Sequence, residues 1–227
     1  MKKLEGKLGI LIVAMLVVCV FCIGLLSTKV HASEAYNVNM NINMMMEEFD
    51  AMIENSDENM LSSNPYDYID NQYFDNIINR GISALPTITE EIESSENSGL
   101  REYMLAIAAE EITNTHLNKE NVYNWSNGKE WLDKWNIYLR NIPTKVDYIV
   151  NDTENTIEEK KSALNDLGIM SLPYIKDSID AGHTEFQDTY NSILEGTAVS
   201  SRTNDNEKID ESDLQIIRSM VEEVRVD

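Results

Sequence analysis

Cysteine is almost missing from this 227-residue chain: the two present, Cys19 and Cys22, both lie in the apolar run Leu8–Leu26. If that run is removed on export, the rest can form no disulfide and carry out no thiol chemistry, even where disulfides are permitted. Stability must then come from packing alone. Histidine is nearly as scarce. Beyond His31 only His116 and His183 remain, with no pair at the spacing of a helical zinc site and no thiol to complete one. Each reads as a surface-loop residue. The nine glycines stand singly at turns instead of clustering before a helix, which excludes P-loop, dinucleotide and nucleophile-elbow patterns. Sustained β-branched alternation is also lacking, so the chain reads as all-α. Basic residues number 18 against 40 acidic, a formal net charge of −22 at pH 7. Such a chain repels nucleic acid, anionic lipid and wall polymer, and it suits a basic protein partner or divalent cations.

What is present begins with an export signal. Lys2, Lys3 and Lys7 precede Leu8–Leu26, and Val30-His31-Ala32 offers the small residues a signal peptidase accepts, so residues 1–32 read as a signal peptide cleaved after Ala32. The alternative is an uncleaved N-terminal membrane anchor, because nineteen apolar residues can span a bilayer core of roughly 30 Å. Both readings place the rest of the chain outside the cytoplasm. With cleavage, no stable membrane contact is expected. The signal carries Lys2, Lys3, Lys7, Lys29 and Glu5, so 18 basic residues fall to 14 and 40 acidic to 39, a net charge of about −25.

A twelve-residue stretch occurs twice: Gly81-Ile82-Ser83-Ala84-Leu85-Pro86-Thr87-Ile88-Thr89-Glu90-Glu91-Ile92, and, 87 positions later, Gly168-Ile169-Met170-Ser171-Leu172-Pro173-Tyr174-Ile175-Lys176-Asp177-Ser178-Ile179. Each copy joins a helix-stopping Gly to a Pro suited only to a first turn, followed by apolar residues at three- and four-residue intervals. This is a helix break followed by an amphipathic helix, written twice. Gly128, Leu132, Trp135 and Leu139 fit the template as a third copy without the Pro.

Around these copies the chain reads as follows. Residues 33–63, rich in Met, Asn and Ser, read as a flexible lead in which Phe49, Met52 and Ile53 can close a short helix. Asn64-Pro65 starts order, with a break at Asn71. Leu100, Tyr103, Met104, Ile107, Ala108 and Ile112 form one stripe, with Arg101, Glu102, Glu110 and Glu111 off it. Pro143 opens a helix, and Thr156 with Glu159 makes a capping box. Residues 64–196 form the repeat domain. Residues 197–227 hold a linker and an amphipathic helix, capped by Ser212 with Gln215, that docks on the body or meets a partner.

The Gly-x-x-small-Leu-Pro-x-Ile-x-x-x-Ile pattern, flanked by helices from about Pro65 to Gly196, resembles HEAT-type and armadillo-like helical repeats. The resemblance implies helical hairpins stacked into an elongated array with a concave binding surface. Short helices and the missing third Pro leave a compact helical bundle as the alternative architecture. The whole chain is also similar to small uncharacterised exported proteins of Gram-positive bacteria, a likeness that implies no activity.

No cofactor or catalytic constellation emerges. The acidic stretches Asn151–Asn155 and Asn204–Glu207 lack the Gly and closing Glu of an EF-hand, leaving only weak calcium association. Trp131, Trp135 and Tyr138 sit at core spacing. Trp125, beside Ser126-Asn127-Gly128, is a candidate for a recognition surface. Tyr66 and Tyr68 lie on opposite faces of a short helix, so one of them is free for contact. The expected function is an exported, non-catalytic protein-binding or scaffold module. The alternatives are a carboxylate-based hydrolase of wall or extracellular polymer, or an inhibitor or pro-segment of a secreted enzyme.

Overall fold

The duplicated stretch folds the same way twice. Gly81 and Gly168 hold φ of +59° and +66°, a region that residues with a Cβ adopt only with strain. Each is followed by a short 3₁₀ turn, Gly81–Ala84 or Ile169–Ser171. An α-helix then starts at the leucine, with Pro86 or Pro173 in its first turn where no helical N–H partner is needed. These helices are α3 (Leu85–Ser94) and α7 (Leu172–Asp180). Ile82 and Ile169, Ala84 and Ser171, Leu85 and Leu172, and Ile88 and Ile175 are buried in matched pairs.

The computed structural model describes residues 32–55, 62, 64–115, 117, 125–197 and 209–226, and among these it is all-helical. The signal segment before Ala32, His116, and the acidic stretch and linker at 198–208 lie outside them. The remaining helices are α1 (residues 32–55), α2 (Gln72–Ile78), α4 (Leu100–Thr113), α5 (Gly128–Asn151), α6 (Ile157–Asp166), α8 (Gln187–Thr197) and α9 (Glu211–Val226). No helix among the described residues is long and apolar enough to cross a membrane.

Helix α4 sits at the centre of the N-terminal half, packed by α2, α3, α5 and the 3₁₀ turns Pro65–Tyr68 and Gly81–Ala84. Every residue from Met104 to Glu110 is buried, so the expected single stripe is corrected to a helix covered all round. The alanines at 106, 108 and 109 make this feasible, because small side chains let neighbours approach on every face. Helix α5 joins the halves, touching α3 and α4 on one side and α6 and α7 on the other. One apolar core runs through all of it.

Four expectations are corrected. Residues 32–55 form a helix instead of a flexible lead, with Val38, Ile42 and Met45 at most 1% exposed. Their i, i+4, i+7 spacing is a helical stripe masked by interspersed asparagines. Asn41 accepts from Asn76 Nδ2 at 3.0 Å, and Glu34 binds Arg80 and Ser83, tying α1 to the body. Helix α5 runs through Pro143 to Asn151, and Gly128 is its first residue, capped by Asn127, without a 3₁₀ turn before it. The third copy is therefore absent. Helix α9 is capped by Asp210, whose Oδ1 accepts from the Ser212 and Asp213 N–H groups while Asp213 bonds back, not by Ser212 with Gln215. The caps at Asn64 and at Thr156 with Glu159 form as expected, and at the expected break Asn71 caps α2.

Candidate functional site

Helix α4 carries a buried carboxylate near each end. At the first turn, Glu102 accepts from Ser95 Oγ and Gly99 N, both at 2.8 Å, and from Arg101 Nη1 at 3.3 Å. Helix α5 begins directly against it: a Cβ on Gly128 would lie 2.5 Å from that of Glu102, so only glycine allows the approach. Burial is the strongest single influence on Glu102 and pushes its pKa up. The bonds from Ser95, its own and the Gly99 backbone, and Arg101 together outweigh burial and hold it below the ordinary value of 4.5.

A depressed carboxylate pKa stabilises the fold above its unfolded value and loses that contribution as pH falls through the folded one. The Tm gap between the native chain and Glu102→Gln is therefore expected to be widest at neutral pH. It should close as pH drops below about 4.5, and thermal melts showing a constant or widening gap would contradict the assignment.

In the last turn of α4, Glu110 Oε1 accepts from Leu117 N at 3.1 Å and from the indole N–H groups of Trp125 and Trp131, each at 3.2 Å. Tyr103, two turns earlier, packs its ring 4.5 Å from that of Trp125. The 3₁₀ turn Pro65–Tyr68, capped by Asn64, lies on α4 and holds Tyr66 beside this cluster with half its surface exposed. Burial raises the Tyr66 phenol pKa most, and the charges of Glu110 and Glu111 and the Tyr103 phenol raise it further. Burial and then Glu110 likewise raise that of Tyr103. The exposed tyrosine therefore stands in a negative potential backed by a carboxylate and aromatic rings.

The predicted contact residues divide. Tyr66 is accessible. Tyr68 is half-buried, donates its hydroxyl to Ser62 O at 2.5 Å and meets the Phe49 ring edge-on at 5.1 Å, so it braces α1. Trp125 is corrected from a surface residue to a buried one, 6% exposed, because Glu110 gives its indole an internal acceptor. Trp125 lies at the Glu110 end of α4, the helix against which the turn bearing Tyr66 packs. Glu110 and Tyr103 were missed, and the unbroken Met104–Ala109 run was the signal that a neighbouring Glu would be buried.

The buried acids are eight positions apart on one helix, about 12 Å along its axis and turned roughly 80° from each other. Each faces its own donors. Among the described residues no group of three or more His, Cys, Asp or Glu is placed to hold a metal. In the Asn151–Asn155 turn, Asp152 Oδ1 accepts from Glu154 N at 2.8 Å, and its other oxygen accepts from the Asn155 amide. His183 Nδ1 lies 3.3 Å from Glu185. A comparison with protein-family models found no match, and comparisons with curated proteins and with solved structures found none either.

Proposed function

We propose that the chain is an exported, non-catalytic protein of HEAT-like helical-repeat type that binds a basic partner protein through the surface around Tyr66. The observation that carries this reading is Tyr66, half exposed on a turn that packs against α4, the helix that bears Glu110 and Glu111. An exposed tyrosine supplies a rigid anchor and a ring face for Lys or Arg. The net charge of −22 supports the sign of the partner by steering cations toward the whole molecule. The doubled turn and helix support the repeat reading, and the lysines, apolar run and Val30-His31-Ala32 support export. Inhibition of a secreted enzyme is a special case, recognised if the retained partner is an enzyme that loses activity on binding.

The test is retention of extracellular proteins on the immobilised full chain, with Tyr66→Ala and Tyr148→Ala compared. Tyr148 is 70% exposed and serves as a surface-tyrosine control. A basic protein eluted by salt should be held by the native and Tyr148→Ala chains. Tyr66→Ala should hold it at least tenfold less tightly, a loss of about 1.4 kcal/mol, while its stability changes by no more than about 0.5 kcal/mol. Equal retention by all three, or retention insensitive to salt, would overturn the reading.

A further inference from the structure

Helix α1 leaves part of its surface bare. Val38, Ile42 and Met45 close one side onto the core, yet four of the eight large apolar side chains exposed among the described residues also lie on this helix: Tyr36, Met40, Met52 and Ile53. Met52 and Ile53, near its C-terminal end, turn to other sides. Tyr36 is 70% and Met40 46% exposed, and four positions apart they share the face opposite the core, with the partly buried Met44 one turn further on. That face changes character along its length. Beyond Met44 it carries Glu47, Asp50 and Glu54, all exposed and spaced as one stripe with Tyr36. Its apolar part is the part nearest the N-terminus.

What precedes this patch is apolar as well. The run Leu8–Leu26 ends ten positions before Tyr36 and holds nineteen residues without a charge. That is longer than the roughly 7–15 residues of a signal-peptide core and long enough to span a bilayer. The bond a signal peptidase would cut, the one after Ala32, lies inside α1, where Glu34 binds Arg80 and Ser83 of the body. Proteases favour exposed backbone free of regular hydrogen bonding, so folding of α1 withdraws the site. Ten residues reach at most about 35 Å when extended and about 15 Å when helical, which keeps Tyr36 close to any membrane surface at which the apolar run ends. Tyrosine is enriched at that depth, where its ring is sheltered and its hydroxyl stays wet.

We infer that Leu8–Leu26 is retained as an anchor and that the face of α1 bearing Tyr36 and Met40 docks on the lipid–water interface beside it. The occupant of this face is the bilayer. Contact is shallow and apolar: Tyr36 and Met40 enter the interface, Glu47, Asp50 and Glu54 stay in water, and the helix rises from the surface along its length. The acidic residues offer no attraction to anionic lipid, so a zwitterionic surface suffices. Docking orients the folded body on the membrane instead of leaving it to swing on a free tether. The proposal takes the membrane-anchor reading of the N-terminus over the cleaved one, and it stands whether or not the Tyr66 surface binds a partner.

The test reconstitutes the full chain through Leu8–Leu26 into phosphatidylcholine vesicles that carry a photoactivatable group at the base of the headgroup, and locates the labelled residues by mass spectrometry. Tyr36 and Met40 should take up roughly tenfold more label than Tyr148, an equally exposed tyrosine on α5, while residues 47–54 stay at the Tyr148 level. Substituting Tyr36→Ser together with Met40→Ser changes only exposed side chains. It should leave the thermal melt unchanged while labelling of residues 33–44 falls roughly fivefold. Equal labelling of Tyr36 and Tyr148 would overturn the docking, and so would labelling of residues 33–44 that survives the double substitution, since the tether alone would then account for it. A chain recovered from its native cells with Ser33 at its N-terminus would overturn the anchor and the proposal with it. Retention of a partner at Tyr66 is read separately and is untouched by any of these outcomes.

Discussion

Glu110→Ala is expected to destabilise the chain by about 3–5 kcal/mol, because it leaves several buried N–H donors without their acceptor. The reason lies in its donors. Leu117 N and two indole N–H groups converge on Glu110 Oε1 in a region where Trp125 is 6% and Trp131 0% exposed. Alanine removes the acceptor and leaves these donors in low dielectric, at about 1–3 kcal/mol for each buried group that finds no substitute. In a chain of this size the loss corresponds to a fall in Tm of roughly 10 °C. Glu110→Gln keeps a carbonyl oxygen at the same reach and should cost about 1–2 kcal/mol. Circular dichroism melts of the two variants decide the matter. An alanine variant within 1 kcal/mol of the native chain, or a glutamine variant as damaged as the alanine one, would remove Glu110 as the organising acceptor.

The contrast between Glu110 and Tyr66 indicates which features of the site were legible in the sequence. Tyr66 and Tyr68 are two residues apart in a short helical turn, so they point to different faces, and their different exposure follows from local geometry. Glu110 is buried for a non-local reason: the indoles of Trp125 and Trp131, 15 and 21 positions away, supply the donors that make a buried carboxylate tolerable. No window of the sequence contains both sides of that bargain. The same limit misplaced Trp125, since an indole beside a polar turn is exposed unless a distant acceptor pulls it in. Helix α1 was hidden by composition. Its stripe of Val38, Ile42 and Met45 is helical, but the asparagines between them lower the local propensity, and the packing partners that overrule it lie 35 or more positions downstream. Pro143 suggests a helix start because proline favours a first turn. In α5 it is carried by a helix of 24 residues whose apolar face, from Trp131 to Val150, is buried on both sides of it. Tertiary packing there outweighs the lost backbone bond. The all-α class, the two Gly-to-Pro turns and most helix starts depend on residues within four positions of one another, and are therefore legible in the sequence.

Leu85→Ala and Leu172→Ala extend that local reading to energetics. Both leucines are 0% exposed, both open the helix that follows a 3₁₀ turn, and both precede the proline of the duplicated stretch. Each truncation should cost about 2–5 kcal/mol, the transfer term of the lost atoms plus the cavity they leave. Because α3 and α7 pack on α5 from separate copies, the two costs should add to within about 0.5 kcal/mol. Their sum would reach about 4–10 kcal/mol against a total stability of about 5–15 kcal/mol, so the double variant should be largely unfolded or close to it at room temperature. Urea unfolding of the three variants measures each term. Two similar single costs would mean that the duplication repeats a packing unit, each copy supporting its own side of α5. A large cost at Leu85 with a small one at Leu172 would mean that the copies share only their backbone turn, with the core concentrated around α4. Small costs at both would remove the duplicated stretch as the basis of the core.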